Sequence, residues 1–155
     1  MADFHQNGVI TTLHDFHRRT TEDLEADLRS FAQRRPMALV LPALYSELER
    51  PALAHIVEEL KKADYLSHIV IGLDRADRAQ FEHARDYFSA LPQRHTILWN
   101  DGPRLTAIDD ELRGHGLAPA EPGKGRNVWF CYGYVLADRK AEVVGLHDCD
   151  ITTYD

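Results

Sequence analysis

Four short runs of apolar residues, continuous rather than alternating, most constrain what this chain can fold into: Met37-Ala38-Leu39-Val40-Leu41, His68-Ile69-Val70-Ile71-Gly72-Leu73, His95-Thr96-Ile97-Leu98-Trp99 and Val143-Val144-Gly145-Leu146-His147. A strand that is apolar on both faces has to be covered on both faces, which is the situation of a parallel strand under helices. The intervening stretches supply the cover. Pro51 suits a first helical turn, and Leu53, Ile56, Val57 and Leu60 follow at i, i+3, i+4 and i+7. Phe81, Ala84, Phe88 and Leu91 mark the apolar face of a second such helix, closed by Pro92. Asp101 is placed to cap a third, which carries Leu105, Ile108 and Leu112 and stops at Gly114. A fourth is expected from about Arg126 to Asp138, with Gly133 as its weak point. Strands and helices alternating at this spacing predict an α/β fold, a Rossmann-like parallel sheet with flanking helices.

Ahead of the first run, Thr20 or Thr21 can cap a helix ending before Pro36, with Glu22 and Asp23 at its positive end. Residues 1–36 therefore read as an N-terminal arm and helix, with a strand or arm around Gly8 to His14, and 37–155 as the α/β domain. At 155 residues one domain is expected. The net charge of −7, with no Lys/Arg run longer than a pair, argues against nucleic acid or an anionic membrane and for a small, locally recognised ligand. No run reaches membrane-spanning length and the start lacks a secretory pattern, so the cytoplasm is the expected location. Cys131 and Cys149 have neither pairing pattern nor zinc spacing and are expected as reduced thiols.

In an open α/β sheet ligands bind outside the carboxyl ends of the strands. The residues there are Pro42-Ala43-Leu44-Tyr45-Ser46-Glu47, Asp74-Arg75-Ala76-Asp77, Asn100-Asp101 and Asp148-Cys149-Asp150, with the Gly123-Lys124-Gly125 turn before the fourth helix. Asp148 and Asp150 are two carboxylates at the end of a buried strand. Hard cations such as Mg²⁺ or Mn²⁺ want such oxygen ligands and keep positions open for phosphates. An isolated Asp-x-Asp is more often a solvated turn; its position after a buried strand, and its company, reverse that balance. Gly123, Lys124 and Gly125 offer unobstructed amides, a helix N-terminus and one ammonium for a diphosphate, although they do not spell a Walker A loop. Glu47 and Asp74 can accept hydrogen bonds from a base or ribose, against the simpler role of helix caps. His14 and His17 lack an evident third ligand and read as surface residues, whereas His147 stands beside Asp148. Trp129, Phe130, Tyr132 and Tyr134 are expected to pack the fourth helix into the core.

With these residues in order, the chain resembles the GT-A-fold nucleotide-sugar glycosyltransferases, and within them the glucosyl-3-phosphoglycerate synthase and mannosylglycerate synthase group. Leu41-Pro42-Ala43-Leu44 with Glu47 resembles that group's first-strand Pro-Ala-x-Asn-Glu segment, with Tyr45-Ser46 where Asn-Glu commonly stands. Pro122-Gly123-Lys124-Gly125 followed by Trp129 resembles its Gly-Lys-Gly-x-x-x-Trp segment, and Val144 to Ile151 the strand ending in Asp-x-Asp. The resemblance spans roughly Met37 to Ile151 and corresponds to the N-terminal, donor-binding half of such an enzyme. It implies that Pro42, Ala43, Leu44, Glu47, Asp74, Gly123, Lys124 and Asp148 surround a UDP- or GDP-sugar. It further implies that Asp148 and Asp150 hold Mg²⁺ or Mn²⁺, with Asp150 the principal, catalytic ligand. A hexose would pass to a small acceptor such as (phospho)glycerate. The acceptor-binding half would follow the Asp-x-Asp, so a chain trimmed after that motif is expected, and a homo-oligomer is compatible with this reading. Two alternatives stand beside it: a non-catalytic nucleotide-binding fragment, and a haloacid-dehalogenase-type phosphatase fragment, because Asp148-Cys149-Asp150-Ile151-Thr152 also fits Asp-x-Asp-x-Thr after a strand.

Overall fold

The four apolar runs become the four strands β1 (Met37–Leu44), β2 (Leu66–Asp74), β3 (His95–Trp99) and β4 (Val143–Leu146) of a computed structural model that describes residues 19–119 and 121–154. They pair in parallel in the order β3-β2-β1-β4. Helices α2 (Pro51–Leu60) and α3 (Arg78–Phe88) cover one face and α5 (Lys124–Asp138) the other, while α4 (Pro103–Gly114) precedes α5. The apolar alternation of β1 sorts its residues accordingly. Leu39, Leu41 and Ala43 join Leu53, Ile56, Ala84 and Phe88 in one cluster, and Ala38 and Val40 join Val70, Cys131 and Val135 in the other. Fully burying a side chain of this size contributes about 1.5–3 kcal/mol, so β1 and β2 are the stable centre of the sheet.

Local chemistry explains most boundaries. Helix α1 (Thr21–Ala32) starts at a reciprocal capping box of Thr20 and Asp23, and α3 at another formed by Asp77 and Gln80. Three expectations need correction. Asp101 does not cap α4: Gly102 is its N-cap and Pro103 its first residue, while Asp101 Oδ2 accepts from the Ala76 amide at 3.0 Å. Gly133 does not weaken α5, which runs unbroken for 15 residues and begins at Lys124 rather than Arg126. Of the four aromatics on α5, Phe130 is buried and Tyr134 half-buried, but Trp129 and Tyr132 stand 42% and 39% exposed. The strand or arm expected around Gly8 to His14, with His14 and His17, lies outside the described residues.

Gly72 is the point where glycine is required by close approach. The buried Asn127 of α5 donates from Nδ2 to the Gly72 carbonyl at 2.8 Å. A Cβ on Gly72 would overlap the Asn127 amide and stand 2.7 Å from Cys131 Sγ. The two residues together set how deeply α5 sits on the sheet. At the other end of the helix Arg94, at the start of β3, grips Asp138 through two bonds of 2.7 and 2.9 Å.

Candidate functional site

Chain order and strand order part company between β1 and β4. From β1 the chain steps outward to β2 and β3, then crosses back to place β4 on the far side of β1. That is the topological switch point, where strand-end turns diverge and leave a crevice. The ladders show it opening. β1 pairs with β2 as far as Leu44 and Asp74, but with β4 only as far as Val40 and Leu146, followed by one bond from the His147 amide to the Val40 carbonyl at 3.1 Å. Pro42 lies beyond that last rung. By the alternation of a parallel ladder its nitrogen faces the β4 side, where no donor is needed, which is how a proline is tolerated in an inner strand.

On the β1 side of the crevice, a single turn of 3-10 helix (Tyr45–Glu47) follows the strand, and Glu47 Oε2 accepts from the Leu44 amide at 2.7 Å. Pro42 and Ala43 are buried and Leu44 half-buried, so this segment offers backbone and the Glu47 carboxylate rather than an apolar wall. On the β4 side, Cys149 is 2% exposed and packs into the cluster under α2 and α3, while its neighbours Asp148 and Asp150 remain accessible. The one-residue gap has a physical meaning here: the middle side chain anchors the turn and the carboxylates flank it. Burial pushes the Cys149 thiol well above its ordinary pKa, and the charges of Glu47, Asp148 and Asp150 push it further while Lys124 opposes them.

The turn is pinned beyond the aspartates. Tyr154 bonds His147 Nδ1 through its hydroxyl at 2.6 Å, and its carbonyl meets His55 Nε2 of α2 at 2.6 Å. Burial raises the Tyr154 hydroxyl to about 12 and lowers His147, against the opposing pull of Asp148.

Across the crevice stands the first turn of α5. Gly123 adopts φ 143° as N-cap with no side-chain cap, leaving the first amides of the helix for an external acceptor. Lys124 Nζ lies 2.5 Å from Asp148 Oδ1, both side chains being about half exposed. The structure thus brings Lys124, which follows Gly123, against Asp148. Asp74 is placed differently: it ends β2, is 5% exposed, and has Arg126 of α5 at 3.9 Å. The loop after it, with Arg75 at φ 57°, is clamped from β3 by Trp99, whose indole donates to the Ala76 carbonyl at 2.7 Å. Sequence reading missed Trp99, Asn127 and Arg126. Their signal lay only in the company of Gly72 and Asp74, which is visible once the strands are in register.

Among the described residues no three His, Cys, Asp or Glu side chains converge as a ready-made metal cage. A cavity of about 850 Å³ lies elsewhere, between β3, α4 and α5, and is lined by none of the residues expected to bind the donor. No described helix is long and apolar enough to cross a membrane.

No family profile matches the chain, and no solved structure does. Curated proteins do. The chain is 48% identical over 154 residues to a glucosyl-3-phosphoglycerate synthase of Persephonella marina, a match covering 99% of this chain and 38% of that protein. It is 36% identical over 153 residues to a glucosyl-3-phosphoglycerate synthase of Methanococcoides burtonii, covering 98% of this chain and 37% of that protein. The chain spans well under half the length of these relatives. Over nearly all of its own residues, the chain is similar to proteins named glucosyl-3-phosphoglycerate synthase, the group its three motifs resemble.

Proposed function

We propose that this chain forms the donor-binding part of a metal-dependent glycosyltransferase, which moves a glucosyl group from a nucleoside-diphosphate sugar to 3-phosphoglycerate or a close analogue. The observation that carries the reading is the contact of Lys124, in the first turn of α5, with Asp148 across the switch-point crevice, on a turn that the buried Cys149 anchors between two accessible carboxylates. The names of the two relatives supply the sugar and the acceptor.

The residues fit Mg²⁺ or Mn²⁺. Two accessible carboxylates on an anchored turn, without a third protein ligand, suit a hard cation that completes its shell with water and phosphate oxygens. When bound, such a cation supplies neutralisation of charge on the departing diphosphate. The chain's own residues do the rest. The free amides of α5 and the Lys124 ammonium face the phosphates, so Lys124 exchanges Asp148 for the ligand as the donor binds. Glu47, held by the Leu44 amide, presents its carboxylate toward ribose hydroxyls from the opposite wall. Cys149 and Tyr154 keep the acidic turn from shifting as charge accumulates, and a preorganised site of this kind needs little reorganisation during reaction.

The test is titration calorimetry of wild type and Asp150→Asn with UDP and GDP, each with and without Mn²⁺. Asp150 is exposed at a strand end, so the substitution should change stability by no more than about 0.5 kcal/mol. Metal-dependent nucleotide affinity should fall about tenfold or more, the equivalent of one lost charge-assisted contact. Equal affinities in all conditions would remove the metal assignment. Binding of Mn²⁺ alone, without nucleotide, would favour a simple cation site. The phosphatase alternative has no comparable support, since both relatives carry a synthase name.

A further inference from the structure

A guanidinium in the first turn of α5 sits where the helix macrodipole is positive, and so it requires compensation. Arg126 has that compensation from two separate elements. Its NH2 is 3.9 Å from Asp74 Oδ1 at the end of β2, and its NH1 is 3.6 Å from Asp109 Oδ2 on α4. All three side chains are largely enclosed, with 16%, 7% and 11% of their surfaces exposed. Asp109 is itself fixed by Arg113, through bonds of 3.1 and 3.0 Å. The pairs to Arg126 lie beyond direct hydrogen-bond length, so charge holds the guanidinium in place.

Among the described residues, the buried Asp109 Oδ1 and Arg126 Nε have no hydrogen-bond partner.

We infer that Arg126 is a positioning residue for the donor site: by joining β2, α4 and α5 it fixes the rotation of the first turn of α5, and with it Lys124 and the free amides. This rests on the donor-site reading given above. Asn127 sets the depth of α5 through Gly72, and Cys131, Val135 and the Arg94–Asp138 pair hold its middle and far end, whereas Lys124 stands at the first turn. Arg126, two residues after Lys124, supplies the missing points of attachment.

The experiment compares wild type, Arg126→Met, Arg126→Lys and Asp109→Asn, measuring affinity for UDP and GDP and for the bare nucleosides, with Mn²⁺ present. Arg126→Met should weaken the nucleoside diphosphate about tenfold and the nucleoside less than about twofold, a split that a general loss of fold does not produce. Arg126→Lys, which keeps the charge without the planar fork, should recover part of the loss. Asp109→Asn distinguishes positioning from direct contact. Releasing the guanidinium should weaken the diphosphate if Arg126 positions α5, and strengthen it if Arg126 itself touches phosphate. Equal losses for diphosphate and nucleoside, or tighter binding by Asp109→Asn, would overturn the inference. Should Arg126→Met fail to fold, Asp109→Asn and Arg126→Lys still decide by the same signs. A wild type that binds no nucleotide removes the donor-site reading, and this inference with it; a wild type that binds while Arg126→Met binds equally well removes this inference alone.

Discussion

Replacing Gly72 by Ala tests the contact on which the height of α5 depends. The added Cβ would overlap the Asn127 side chain and stand 2.7 Å from Cys131 Sγ, and both neighbours are buried, at 2% and 0% exposed. Neither can swing into solvent. Overfilling a packed site costs about 1–3 kcal/mol, and a buried amide deprived of its carbonyl partner costs about 1–3 kcal/mol more. Against this, the stiffer unfolded chain returns about 0.4–1 kcal/mol. The net expectation is a loss of about 2–4 kcal/mol, or roughly 5–15 °C in Tm for a chain of this size. Urea unfolding followed by circular dichroism gives the free energy, and a thermal scan gives the midpoint. Asn127→Ala makes room for the methyl group, so Gly72→Ala/Asn127→Ala should be markedly less destabilised than the sum of the single variants, the mark of residues in contact. A Gly72→Ala protein within about 0.5 kcal/mol of wild type, or strict additivity in the double variant, would refute the close-approach argument.

Lys124→Met should leave stability within about 1 kcal/mol, because the exposed pair with Asp148 contributes little. The same variant should weaken a nucleoside diphosphate more than the bare nucleoside by calorimetry; similar losses for both would take Lys124 out of the diphosphate site. Stability should also fall on mild acidification. His68 is 2% exposed, receives a bond from Arg94 on Nδ1 at 3.2 Å and meets Thr96 through Nε2 at 3.0 Å, so burial and the Arg94 charge hold its pKa below the ordinary histidine range. The unfolded chain therefore binds the proton more readily, and His68 destabilises the fold as pH drops from about 6.5 through its lowered folded value. Urea midpoints between pH 7 and 5 should decline for wild type and less for His68→Gln; parallel curves would count against this assignment.

The strands and their parallel sheet were legible from continuous apolar runs, which β1 and β2 bury on both faces, whereas β3 and the edge strand β4, expected to be buried too, are only partly covered. The positions of Asp148 and Asp150 after β4 and of Lys124 at the start of α5 were legible too, since strand ends and a glycine turn before a helix are marked in one dimension. What stayed hidden was long-range. Asn127 and Arg126 look like ordinary helix residues until α5 is laid across β2, and Asp101 offers a convincing cap until the Ala76 amide is found beside it. The exposed faces of Trp129 and Tyr132 were misread for a similar reason. Aromatic crowding on one helix reports what could be buried, and only packing decides which side is.

The β1–β4 pairing is a seam. Four residues of β4 meet Met37 to Val40, the strand lies at the edge of the sheet, and Val144 and Leu146 are 38% and 41% exposed. β1, by contrast, has a neighbour on each side and an almost wholly enclosed surface. The two walls of the crevice therefore differ in how readily they come loose, since regions with few buried contacts open at lower free energy than the core. A ligand that reaches from the Glu47 turn to the Asp148 turn would stabilise the short β1–β4 pairing by mass action. Its first trace in amide exchange would be protection of Val143 to Leu146, well before the sheet as a whole became harder to unfold.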